Sequence, residues 1–300
     1  MMDSLKYARG FLLGLGLIWL TSASPAVADD SPSGPGPAFW TVHGPTGTAY
    51  ILGSVHALPP GVTWRSKQID AAAKASDTYI FEVPNGLADE AEATRFIRAR
   101  GVLSEGKTLH EMLSPVAQKD YVAACALAGM NATSIDDKKP WLAAVVLTVS
   151  YMNQRQLTFM NTPDEDYLKT ALRYGKTLRY FDTTREQLEF LARFDDTMGV
   201  AGFSTMLGDF TKQPEREDAL ISAWRSGDTT RMAGLIADSF KTDVAGARLL
   251  ADHNLSWTRQ LEALLDTGRT YFVVVGVAHL VGPSGMPSML RADGYTVEGP

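Results

Sequence analysis

Two stretches more than two hundred residues apart, ILGSVH at 51–56 and VVGVAH at 274–279, each run an apolar segment into the pattern Gly-x-x-His. Continuous apolar runs of this length, rich in Val and Ile, read as strands buried on both faces, which is how parallel strands inside an α/β sheet look. A chain that ends two such strands in the same way must place two imidazoles just beyond a sheet edge. In an open α/β sheet the carboxyl ends of the strands form that edge, and ligands bind there. Gly53 and Gly276 lack a Cβ, so each is expected to let the chain turn off its strand and a ligand approach the backbone.

The rest of the chain supplies the matching architecture. WTVHGPTGTAYILG reads as two strands joined by a Gly/Pro turn, the second ending at Gly53. A helix over about 65–76 and the strand DTYIFE follow, and this strand–helix–strand order makes the two flanking strands parallel neighbours or near neighbours. From about 87 to 173 the apolar residues fall at helical spacing, as in ADEAEATRFIRARG, SPVAQKDYVAACALAG and KPWLAAVVLTVSYM. Next come the strand KTLRYFD and a helix in DTTREQLEFLARF, with Thr183 or Thr184 able to cap it and Glu186 in its first turn. Further helices run to about Thr267, and TYFVVV, a Gly-rich loop, the short helix PSMLRAD and the strand YTVE close the chain. The expected fold is α/β: a central, mainly parallel sheet flanked by helices, with a large helical insertion at about 87–173 between the two strand-bearing ends.

Four of these strands deliver chemistry at the same edge: AYILG leads to His56, TYIF to Glu82, TLRYF to Asp182 and YFVVV to His279. Two neutral imidazoles and a carboxylate can occupy three positions around one divalent ion and leave an open position for water. An ion held that way lowers the pKa of its water towards about 7. Each element also has a plainer reading, since a lone Gly-x-x-His is as well served by a core histidine bonded to a carbonyl. Asp182 fits an N-cap for the helix that follows it better than a ligand. His43 and His110 read as surface residues. Other chemistries lack the spacing they need: the chain has no H-E-x-x-H, no Gly-x-Ser-x-Gly elbow and no phosphate-binding G-x-x-x-x-G-K loop.

At the N-terminus, Lys6 and Arg9 precede FLLGLGLIWL, and the small-residue site Ala26-Val27-Ala28 follows it. This is the pattern of a secretory signal peptide at 1–28, cleaved after Ala28, and it predicts export to the periplasm or the medium without a remaining membrane span. Residues 29–38, DDSPSGPGPA, read as a flexible leader, and the folded domain is expected over 39–300, starting near Phe39. A formal charge of −6 without basic clusters argues against nucleic acid and anionic membranes as partners. Cys125 is the only cysteine, so no intramolecular disulfide forms, and its setting in YVAACALAGM is that of a small buried hydrophobe.

The stretches YILGSVHALPPGVTWR, IDAAAKASDTYIFEV, PDEDYLKTALRYGKTLRYFDTTREQLEFL and FVVVGVAHLVGPSGMPSMLRADGYTVE carry a family resemblance that covers nearly all of the chain beyond the signal peptide. The chain resembles the TraB/PrgY/GumN family, most nearly its bacterial GumN-type proteins, whose hallmark is the paired Gly-x-x-His with an early Glu. The resemblance implies kinship with the Tiki proteins, membrane-tethered or secreted peptidases dependent on divalent metal. It therefore implies a metallohydrolase with His56, Glu82 and His279 as metal ligands and catalytic groups, and Mn, Co or Zn as the ion. Asp182, Asp164, His253 and Asn254 are the expected supporting or substrate-binding positions. The chain departs from its relatives in having Asp182-Thr183 where they commonly show Glu-Thr, and His253-Asn254 where they commonly show Arg-Asn. The leading expectation is an exported metal-dependent hydrolase of peptidase character acting on a peptide or other small substrate. The alternatives are a non-catalytic binding protein serving polysaccharide export or signalling, and a peptide-sequestering protein that binds without cutting.

Overall fold

The computed structural model describes residues 36–300 apart from Asn85, Met198, Pro214 and Thr242. The expected signal peptide at 1–28 and most of the expected leader at 29–38 lie outside the described residues. The six strands are β1 (Phe39–His43), β2 (Thr48–Ser54), β3 (Thr78–Phe81), β4 (Thr177–Tyr180), β5 (Thr270–Gly276) and β6 (Thr296–Glu298). They form one sheet in the order β4-β3-β5-β2-β1-β6. The contiguous block β4-β3-β5-β2 is parallel throughout, while β1 pairs antiparallel with both β2 and β6.

Helix α1 (Lys67–Ala75) links β2 to β3; α2 (Leu87–Arg100), α3 (Leu109–Met112), α4 (Pro115–Leu127), α5 (Pro140–Gln154) and α6 (Pro163–Arg173) lie between β3 and β4. Between β4 and β5 come α7 (Thr184–Thr197), α8 (Gly199–Lys212), α9 (Arg216–Ser226), α10 (Thr229–Ser239) and α11 (Val244–Leu265), and α12 (Met286–Ala292) precedes β6. Helices thus fill both gaps around β4. The helical mass is not one insertion at 87–173 but two stretches that pack together.

Strand β5 explains the topology. Its residues Phe272, Val273, Val274 and Val275 are fully buried, and burying each such side chain stabilises the fold by about 1.5–3 kcal/mol relative to exposure. The last long strand in the sequence therefore takes the most protected central position, between β2 and β3. The β2–α1–β3 crossover consequently joins near neighbours, not direct ones. Both edge strands, β4 and β6, are short, which limits the unpaired backbone offered to other chains.

Two hydrophobic clusters result. One packs on both faces of the sheet around Trp40, Ile51, Tyr79, Tyr167, Trp224, Trp257 and the β5 valines. The other lies among the helices, around Tyr121, Trp141, Leu147, Leu188, Phe203 and Leu207. Cys125 belongs to the second cluster; burial pushes its thiol up to about 11, so it is the inert hydrophobe the sequence predicts. The fold starts slightly before Phe39: Ala38 is buried and its carbonyl accepts from Gly53 N–H at 3.0 Å.

Candidate functional site at the strand ends

The four parallel strands end at one edge, and each predicted residue stands there. Ser54 closes β2 opposite Gly276 of β5, with His56 two residues on. Glu82 follows β3, and Asp182 follows β4, their backbones still paired through Phe181 N–H to Phe81 O and Asp182 N–H to Glu82 O. His279 lies in a single turn of 3-10 helix, Val277–His279, that leaves β5 directly.

Gly276 is the hub. Glu82 Oε1 accepts its N–H at 2.6 Å. A Cβ placed on Gly276 would meet Glu82 Oε1 at 3.1 Å, His56 Nε2 at 3.5 Å and His279 Cδ2 at 3.8 Å. The three side chains therefore surround one small space, and the glycine is what leaves it open. Its φ is −55°, a value any residue adopts, so the turn itself does not require glycine. Gly53 has no left-handed φ either, and a Cβ there would make only ordinary contacts of 3.4–3.5 Å. The sequence expectation that both glycines serve the turn is corrected: Gly276 serves close approach, while Gly53 presents its carbonyl to Trp224 Nε1–H at 2.8 Å. Gly276→Val is expected to fill the space between the three side chains. Any ligand bound there should weaken by about tenfold or more with far-UV circular dichroism unchanged, read by titration calorimetry.

The tautomer of His279 follows from its neighbours. Asn254 Nδ2 donates to Ser284 O at 2.8 Å, and a carbonyl can only accept, so the amide oxygen Oδ1 faces the ring. His279 Nδ1, 2.7 Å from that oxygen, must then carry the hydrogen. The lone pair is on Nε2, which stands 4.0 Å from Glu82 Oε1. Burial, with the His253 and His56 imidazoles adding to it, pushes His279 down to about 3, so the ring is neutral.

His56 is held differently. Its side chain keeps 35% exposure, but Nδ1 is buried and lies 3.5 Å from Asp164 Oδ2, without hydrogen-bond alignment. Asp164 sits in the first turn of α6, where Thr162 caps the helix and Pro163 starts it, so the helix end favours its charge. Ser54 donates to the same Asp164 oxygen. Burial pulls His56 down, but the Asp164 carboxylate and the Glu82 charge outweigh it and lift the imidazole to about 9. Glu82 is itself raised, chiefly by burial, with His56 opposing.

Asp182 faces away from the helix it precedes. The cap of α7 is Thr183, whose hydroxyl accepts from Glu186 N–H at 3.2 Å while Glu186 accepts from Thr183 N–H at 2.7 Å. The N-cap reading of Asp182 is therefore corrected. Its carboxylate takes Trp257 Nε1–H at 3.0 Å and stands 3.0 Å from His253 Nε2. Trp257 and His253 both lie against His279, at ring-centroid distances of 4.3 and 5.8 Å. His43 and His110 stand apart, His43 exposed at the end of β1 beside Glu298.

The site thus gathers His56, Glu82, His279, Asp164, Asp182, His253 and Asn254. Ser54 and Trp257 also belong to it and were not singled out from sequence. The signal for Trp257 was its place on α11 four residues after His253, on the buried face that also holds Asn254, Thr258 and Leu261. Among the described residues, no three His, Cys, Asp or Glu side chains are already gathered tightly enough to hold a metal ion. The donor set nonetheless fits one: His279 Nε2 has its lone pair fixed by Asn254, Glu82 keeps its second oxygen, and His56 Nε2 faces the same space.

No curated protein and no solved structure gives a significant match. The family model for the TraB/PrgY/gumN family matches residues 38–299, which includes every strand and both Gly-x-x-His segments. With that match over nearly the whole described fold, the chain belongs to the TraB/PrgY/gumN family.

Proposed function

We propose that this chain is an exported, metal-dependent hydrolase of peptidase character whose centre is His56, Glu82 and His279. The observation that carries the reading is the space around Gly276, into which two imidazoles and a carboxylate from three adjacent strand ends face. His56 and His279 would hold the ion with Glu82 beside it as the base, and the ion when bound would polarise a carbonyl and acidify water.

The chain's own residues do the rest. Asn254 fixes His279 in the tautomer with its lone pair at Nε2. Gly276 N–H anchors one oxygen of Glu82 and leaves the other for proton transfer. Burial raises Glu82 above the ordinary carboxylate range, which makes it a stronger base for taking a proton from water and returning it to a leaving amine. Asp164 holds His56 at the mouth. A signal peptide at 1–28 would deliver the protein outside the cytoplasm, with Asp29 as the mature N-terminus.

A second reading, a non-catalytic binding protein on the same scaffold, is favoured by one observation: His56 is held towards Asp164, so the donors are not assembled as a coordination shell. The test is calorimetric titration of untagged protein with Mn²⁺, Co²⁺ and Zn²⁺ beside cleavage of a peptide library, for wild type and Glu82→Gln. The expected result is about one ion per chain and metal-dependent cleavage, with Glu82→Gln losing about 10²–10⁴-fold in cleavage while retaining binding. Absence of both binding and metal-dependent cleavage up to pH 9 decides for the binding protein.

A further inference from the structure

A second cavity, open to solvent on one side, lies away from the strand ends and is lined by α5, α7, α8, α9 and α10. Its volume is about 650 Å³, within the roughly 300–1,000 Å³ range of small-molecule sites. The wall is apolar and strongly aromatic, built from Trp141, Phe194, Phe203, Phe210, Leu235 and Phe240. Side chains of this kind, left facing a space large enough for a ligand, stabilise an apolar occupant by removing its surface from water.

The polar groups on the same wall have one dominant sign. Asp195, Asp209, Glu217 and Asp243 line it against a single basic residue, Arg216. Arg216 is turned to α10, where its guanidinium donates to Leu235 O and, at 2.8 Å, to Ser239 Oγ. Asp195 Oδ1 accepts from Trp141 N–H at 3.2 Å, and Asp243 Oδ1 accepts from Gly246 N–H at 2.8 Å, while Asp243 Oδ2 is buried without a hydrogen-bond partner. Arg155 acts on Glu217 and Lys139 on Asp195 from behind the wall, so the surplus negative charge rests on Asp209 and Asp243, which attract a cation and repel an anion. Aromatic ring faces add to the same preference, since their quadrupole attracts ammonium groups.

We propose that this helical cavity is a binding site for a small apolar ligand carrying a positively charged amine or quaternary ammonium group. The site is distinct from the strand-end centre and does not depend on the metal reading, although α7 connects the two. Phe194 lines the cavity, and one turn earlier Phe190 packs on Phe194 at 5.3 Å and stacks on His253 at 4.0 Å. An occupant touching Phe194 therefore lies one helical turn from the His253–Asp182 pair.

The test is calorimetric titration of the whole protein with decyltrimethylammonium and with decanoate, both kept below their micelle-forming concentrations. These probes share a chain length and differ in the sign of the head group. The expected result is about one ammonium bound per chain, at least about tenfold tighter than decanoate. Ala144→Trp and Leu235→Trp, each filling the cavity, should weaken the ammonium by about tenfold or more, whereas His56→Ala should leave its binding unchanged. The doubly neutralised variant Asp209→Asn/Glu217→Gln should narrow the ammonium-to-decanoate ratio without filling the cavity, and so keeps the test decisive if a tryptophan variant fails to fold. Equal affinity for the two probes, no binding of either, or ammonium binding undiminished in both folded tryptophan variants overturns the proposal. Loss of ammonium binding in His56→Ala would also overturn it, by placing the cation at the strand ends.

Discussion

Trp257→Ala is expected to destabilise the protein by about 3–5 kcal/mol, the usual cost of truncating a large buried aromatic. Trp257 is fully buried, stacks on Phe181 at 5.1 Å and packs against His279 at 4.3 Å. Its indole N–H is also a direct donor to the Asp182 carboxylate, at 3.0 Å. Truncation thus removes packing and takes a hydrogen-bond donor from a buried anion. Trp257→Phe separates these effects, since it keeps most of the ring and loses only the donor, and should cost about 1–3 kcal/mol. Urea denaturation of both variants is the measurement. A loss below about 1 kcal/mol for Trp257→Ala would show that this aromatic layer does not hold the strand-end edge together.

The strand-end site was legible because four residues obey one local rule. His56, Glu82, Asp182 and His279 each follow an apolar run, and a parallel sheet brings the ends of such runs to one edge. The position of β5 between β2 and β3 was not legible, because strand order depends on which strand most needs burial on both faces, a comparison made across the whole chain. The same limit applies to Asp182. Next to it in sequence is a helix start, which invites the N-cap reading, but its partners His253 and Trp257 come from α11, more than seventy residues later. Asp164 was placed among the supporting residues only by resemblance; what fixes its role is the meeting of α6 with the Ser54–His56 turn. The helical cavity has no sequence signature at all, since five helices from separate stretches contribute its wall.

Under the metal-dependent reading, affinity for a divalent ion is expected to rise with pH well beyond the ordinary histidine range. Sequence alone places the rise near an imidazole's ordinary value of about 6.5. The two histidines differ, however. His279 is held at about 3 and is neutral at every relevant pH, so it imposes no proton competition. His56, lifted to about 9 by Asp164 and Glu82 against the effect of burial, must lose a proton before its nitrogens can serve an ion. Affinity should therefore climb by about tenfold per pH unit up to roughly pH 9 and level off above it. The metal-free protein gives an independent check of both assignments. A histidine whose folded value is raised contributes stability present below about 6.5 and lost as pH rises through 9, so His56→Gln should flatten the alkaline side of the stability profile. His279 is depressed, so its contribution is present above about 6.5 and lost as pH falls towards 3, and His279→Gln should flatten the acid side. Asp164→Asn removes the nearest charge holding His56 up, and should move the midpoint of the metal-affinity profile to lower pH. Titration of wild type and Asp164→Asn with Mn²⁺ from pH 6 to pH 9.5 reads the effect, and coincident profiles with a common midpoint near 6.5 would mean that Asp164 does not govern the His56 proton.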